Sequence, residues 1–101
     1  MKTITITSIA RSDIAGTAEF ISRDAPTHAL RFLDAVERSF AEIQSFPLIG
    51  REATFESEAQ VRFWYVKDFP NYLIFYSVRS DEIRIVRVIH SSRDYQTSFT
   101  T

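Results

Sequence analysis

The chain has 101 residues, and 12 lysines and arginines stand against 13 acids for a formal net charge of −1, so no whole-molecule attraction to phosphate backbones exists. It contains no cysteine and only two histidines, which excludes disulfide frameworks, thiolate zinc sites and histidine metal cages, and no metal or other cofactor is expected. An apolar share of 45% with 25% charged residues is globular composition, and the length predicts one domain over residues 1–101, small enough that stabilisation by a partner matters.

The N-terminus, MKTITITSIARSD, alternates threonine with isoleucine instead of presenting a continuous apolar stretch. No later run approaches membrane-spanning length, so a cytoplasmic protein with no membrane partner is expected. Ile4 and Ile6 share one face of a period-2 strand over residues 3–8. Ser8 or Ser12 is placed to cap a following helix in which Ile14, Ala18 and Ile21 recur at helical spacing. Gly16 costs that helix roughly 1 kcal/mol against alanine.

Asp24-Ala25-Pro26 breaks the first helix and starts a second, because proline's missing N–H is harmless in a first turn. Ala29, Phe32, Leu33, Val36, Phe40 and Ile43 form its apolar stripe, with Arg31, Asp34, Glu37, Arg38 and Glu42 facing away. Pro47 forces Phe46 out of helical backbone and Gly50 completes the exit. So short a link between helices predicts an antiparallel hairpin with both stripes aimed at a shared sheet.

Residues 51–60, REATFESEAQ, have no clear period and read as an acidic loop. The stretch VRFWYVKDFPNYLIFY, residues 61–76, then concentrates seven of the fourteen aromatic side chains in two strands around an Asp68-to-Asn71 turn. Phe63, Tyr65, Ile74 and Tyr76 are expected beneath the helices as core, and Trp64, Leu73 and Phe75 on the opposite face. A last strand, Glu82 to His90, is expected to place Ile83, Ile85 and Ile89 on one face and Val86 and Val88 on the other. The tail SSRDYQTSFTT offers Tyr95 and Phe99 as anchors.

Several short motifs in this order carry a family resemblance. They are "ARSDI" from Ala10, Ala29 with Phe32, Pro47 with Gly50, Arg62 before the aromatic strand, "YLIFY" from Tyr72, and "IVRVIH" from Ile85 followed by Arg93-Asp94. Over roughly residues 3–95 the chain resembles the RelE/ParE superfamily of bacterial toxins from toxin–antitoxin systems, and it is closer to the ParE side. The resemblance implies an α+β fold, with an N-terminal strand and a helical hairpin packed on one face of a twisted, mainly antiparallel sheet. The strands read from the sequence make that sheet four-stranded. It also implies a type II plasmid-stabilisation toxin, neutralised by a cognate antitoxin and poisoning DNA gyrase by binding instead of covalent chemistry.

Arg62, Trp64, Arg87, His90 and Arg93 are the candidates for binding a macromolecular target. Trp64, Leu73 and Phe75, if left bare by helices that cover one side only, form an apolar patch for the antitoxin. An enzymatic alternative is a ribosome-dependent mRNA endonuclease, with His90 as acid and Arg87 and Arg93 as phosphate clamps. The charge balance favours gyrase over ribosome and mRNA, since nucleases of this superfamily look strongly basic. Specific DNA binding by this chain alone is not expected. A third alternative keeps the fold as a non-toxic binding module. His28 reads as an exposed helix residue, and the Glu56/Glu58 run as a solvated loop.

Overall fold

A computed structural model describes residues 1–55 and 58–92, with backbone only for residues 54, 55, 58 and 59. The elements run β1 (Thr3–Ile6), α1 (Ser8–Ser22), α2 (Pro26–Ser45), β2 (Arg51–Phe55), β3 (Glu58–Val66), β4 (Phe69–Val78) and β5 (Glu82–His90). One sheet holds all five strands in the order β1-β5-β4-β3-β2. β1 is parallel to β5 and every other pairing is antiparallel. The expected four strands are therefore five, and residues 51–60 are not simply a loop: Arg51, Glu52 and Ala53 pair with Phe63, Arg62 and Val61.

Thr7, not Ser8 or Ser12, caps α1. Its backbone is extended and its hydroxyl accepts the Ala10 N–H at 3.0 Å, satisfying one of the donors that a helix start leaves open. The same hydroxyl donates to the Val86 carbonyl at 3.1 Å, so the cap also ties α1 to β5. Pro26 opens α2 as expected, and Phe46 closes it in non-helical backbone before Pro47. Leu33, expected in the buried stripe of α2, is 38% exposed.

Two apolar clusters lie on the two sides of the sheet. The helix side joins Ala10, Phe32, Val36, Phe40 and Ile43 to Ile74, Tyr76, Ile83, Ile85 and Val88, with Trp64 and Tyr72 packed against them. Behind the sheet, Val61, Leu73, Phe75, Val86 and Ile89 form the second cluster, joined by Phe63. Directly opposed residues of antiparallel strands share a face. The register pairs Trp64 with Ile74 and Phe63 with Phe75. Phe63 and Tyr65 therefore lie behind the sheet and Trp64 beneath the helices, the reverse of the expected assignment.

A bulge explains the other parity error. Phe75 pairs with Arg87 and Tyr76 with Ile85, which leaves Val86 unopposed. Past that extra residue the faces exchange, so Val88 joins Ile83 and Ile85 on the helix side while Ile89 joins Val86 behind. Among the described residues, no helix is long and apolar enough to cross a membrane.

Candidate functional site

β1 ends at Ile6 opposite Ile85, so β5 loses its outer neighbour halfway along. The start of α1 then runs beside the bared edge. Thr7 donates its N–H to the Ile85 carbonyl and its hydroxyl to the Val86 carbonyl, both at 3.1 Å. Asp13, one α-helical stretch further on, takes the Val88 N–H at 3.0 Å. The same carboxylate holds the Arg87 guanidinium by two bonds, from Nε at 2.8 Å and from Nη2 at 3.2 Å. This two-point geometry is the strong form of an ion pair. Asp13 is the only acid in the first eighteen residues, and it meets the stretch 83–93, which holds three arginines and no acid.

Beyond this clamp the space between α1 and the end of β5 opens into a groove of about 670 Å³. Ser12, Gly16, Thr17 and Phe20 form its α1 wall, with Tyr72, Ile89 and His90 opposite. Gly16 leaves room, since a Cβ there would meet no atom within 4 Å, and Phe20 is 66% exposed. His90 sets the inner end. Its ring meets Tyr72 edge-on at 4.9 Å and its Nδ1 accepts the Ser92 N–H at 2.9 Å, which fixes the other ring nitrogen as the N–H of the neutral tautomer. Tyr72 continues through Phe32 and Phe69 to His28 in further edge-on contacts of 5.2, 5.4 and 5.5 Å, so the two histidines end one ladder of rings. His28 is exposed, as expected.

Of the described candidates for target or antitoxin binding, His90 lines this groove, with Arg87 clamped behind it. Arg62 is at the other end of the sheet, where its Nη1 donates to the Gly50 carbonyl at 2.7 Å and its Nη2 lies 3.7 Å from Glu52. Beside it the Tyr76 hydroxyl donates to the Pro47 carbonyl at 2.8 Å and accepts the Gly50 N–H at 2.9 Å. Burial pushes the Tyr76 phenol above its ordinary value, against smaller opposing effects of the Gly50 N–H and Arg62. Arg62 thus staples the loop between α2 and β2 to the sheet.

Trp64 does not share a face with Leu73 and Phe75. It sits half-buried under α2 and donates its indole N–H to Glu42 at 3.1 Å. Leu73 and Phe75 do not form a bare patch either, being 5% and 2% exposed. Among the described residues, large apolar side chains are exposed at Ile9 and Phe20 on α1, Leu30 and Leu33 on α2, Phe46 and Leu48 after it, and Tyr65 behind the sheet, besides Met1. Two arginines of β5 are paired with acids, Arg84 with Glu82 at 3.4 Å and Arg87 with Asp13. Arg93, Asp94, Tyr95, Phe99 and Glu56 lie outside the described residues, as does the Glu58 side chain.

Sequence reasoning missed Asp13, Gly16 and Phe20. The signal for Asp13 was its isolation among uncharged and basic residues, matched by the absence of any acid over residues 83–93. For the other two it was the recurrence of Ile9, Gly16 and Phe20 on one helical face away from the core stripe.

The sequence model of one family, the ParE toxin of type II toxin-antitoxin system, parDE, matches residues 4–95. No curated protein matches the chain. Among solved structures, a chain described as belonging to the chromosomal ParDE TA system from P. aeruginosa superposes with a TM-score of 0.72. Its sequence is 18% identical, and the match covers 89% of this chain and 96% of that one.

Proposed function

This chain belongs to the family of ParE toxins of type II toxin–antitoxin systems, and from that premise we propose that it arrests bacterial growth in the cytoplasm by binding DNA gyrase and is silenced by a cognate antitoxin protein. The observation that carries a binding mode of action is the engagement of Arg62 and Arg87 among the described residues. Arg87 is spent on Asp13 and Arg62 on Gly50 and Glu52. A nuclease needs free cations around the phosphate in its transition state, and neither arginine points one at His90. Among the described residues, His90, Phe20 and Tyr72, with the hydroxyl-bearing Ser12, Thr17 and Ser92, line the groove that a macromolecule would meet. The exposed Ile9 and Phe20, which share one face of α1 with Gly16, offer apolar contacts to a protein partner.

The experiment is induced expression of the chain with and without the protein encoded by the adjoining reading frame. Growth arrest that the neighbour relieves is the expected result. Growth that continues undisturbed on expression of the chain alone overturns the reading, and leaves the fold as a binding module only.

A further inference from the structure

We infer that the turn between α2 and β2, which sets Phe46 and Leu48 in solvent, is the surface by which the chain enters an apolar, acid-flanked cleft of its folded target. This rests on the gyrase-binding reading above and names the residues that make the contact.

The turn is fixed from several directions. The Phe46 carbonyl accepts the Ile49 N–H at 3.0 Å and closes a β-turn, with Pro47 at the position that its fixed φ suits. The Tyr76 hydroxyl donates to the Pro47 carbonyl at 2.8 Å and accepts the Gly50 N–H at 2.9 Å, while Arg62 donates to the Gly50 carbonyl at 2.7 Å. Ile49 packs against the helix-side cluster, and a Cβ on Gly50 would meet the Tyr76 hydroxyl at 2.6 Å. A tyrosine of β4 and an arginine of β3 thus lock the backbone of a surface loop.

What this turn displays does little for the chain's own core. Turn positions favour Asn, Asp, Ser and Gly, yet Phe46 and Leu48 stand here 64% and 67% exposed. Apolar side chains on a backbone already held in place need little further ordering when a partner covers them, which is how interface anchors work.

Charge says what flanks the cleft that receives them. Beside Phe46 lies a hollow of about 300 Å³, lined also by Arg38, Ala41, Glu42 and Lys67. Arg38 is paired with Asp34 at 2.9 Å and Glu42 accepts the Trp64 indole N–H at 3.1 Å, whereas the Lys67 ammonium has no partner among the described residues. An exposed cation without a partner at the rim is complemented by a carboxylate on the other protein. That protein is folded: a closed turn offers a disordered segment neither a strand edge nor a groove, but two fixed side chains suit a preformed cleft. The target, not the antitoxin, is therefore the occupant.

The test uses Phe46→Ser and Leu48→Ser, singly and together. Both side chains stand in solvent and serine suits a turn, so thermal unfolding stays within about 3 °C of wild type. Supercoiling of relaxed plasmid by purified DNA gyrase is titrated with wild-type chain and each variant, and binding of the protein encoded by the adjoining reading frame is measured in parallel. The double variant is expected to need at least about thirtyfold more protein for half inhibition, and Lys67→Glu about tenfold more. Phe46→Tyr and Leu48→Met stay within about threefold of wild type, and affinity for the adjoining-frame protein changes by about twofold or less throughout. Half inhibition by the double variant at the wild-type concentration overturns the turn as the contact while the gyrase reading survives. Loss of affinity for the adjoining-frame protein in the double variant gives the turn to that partner and overturns its assignment to the target. Wild-type chain that leaves supercoiling untouched overturns both.

Discussion

Replacing Asp13 with alanine removes three hydrogen bonds at once. Two come from Arg87, at 2.8 and 3.2 Å, and one from the Val88 N–H at 3.0 Å. Breaking a buried ion pair from one side costs about 3–5 kcal/mol, because the remaining charge loses its partner. Arg87 is 20% exposed and Asp13 10%, so the freed guanidinium recovers part of its hydration and about 2–3 kcal/mol is the fair expectation. The orphaned Val88 N–H accounts for about 1 kcal/mol of that. For a chain this size, thermal unfolding followed by circular dichroism then shifts down by about 10–20 °C. Asp13→Asn keeps an acceptor for Val88 and loses about half as much. The double variant Asp13→Ala with Arg87→Gln closes a cycle, and a coupling above about 1 kcal/mol is expected for groups in direct contact. Asp13→Ala within about 0.5 kcal/mol of wild type, or a cycle with no coupling, refutes the claim that this carboxylate anchors α1 to β5.

Gly50→Ala places a Cβ 2.6 Å from the Tyr76 hydroxyl and 2.7 Å from the Phe63 carbonyl, so denaturant titration is expected to show a loss of about 2 kcal/mol or more. Tyr76→Phe leaves the Gly50 N–H and the Pro47 carbonyl without their hydroxyl partner, for about 1–3 kcal/mol. The phenol's raised pKa also sets an alkaline signature: its contribution is full below the ordinary value of 10.0 and is lost as pH rises through the folded value, a decline absent from Tyr76→Phe. At the acid end, the Thr5 hydroxyl, donating at 2.7 Å, is the main cause that holds Glu82 below its ordinary 4.5. That contribution is present above 4.5 and disappears as pH falls through the folded value, so Thr5→Val shows a flatter acid limb in urea titrations.

The helices and the two-layer class were legible because both rest on strong periodicity and on Pro26 and Pro47. The sheet was legible only in outline. Period-2 reading assigns faces correctly within one strand, but the face of Trp64 relative to Ile74 depends on cross-strand register, which the turn at Asp68 and the shift between Tyr65 and Val66 decide. The extra residue at Val86 is likewise silent in composition, yet it exchanges every face after it. Residues 51–55 escaped notice because an edge strand carries charge where a core strand carries valine and isoleucine, and Arg51 and Glu52 are exposed.

The candidate site suffered more. Arg62 and Arg87, chosen as functional, also make intramolecular contacts that the sequence did not reveal, because an arginine's neighbours are set by the fold, and Asp13 lies 74 residues away from Arg87 in sequence. The apolar surface expected behind the sheet was looked for in the ring-rich strands. Behind the sheet Tyr65 is exposed, and on α1 and α2 single residues such as Phe20 and Leu30 interrupt polar faces without building a recognisable stripe.

The direct measurement is supercoiling of relaxed plasmid by purified DNA gyrase in the presence of the purified chain, with a translation extract containing labelled mRNA run in parallel. Loss of supercoiling that the adjoining-frame protein restores, with the transcript intact, is the predicted result. Undiminished supercoiling together with cleaved transcript contradicts it.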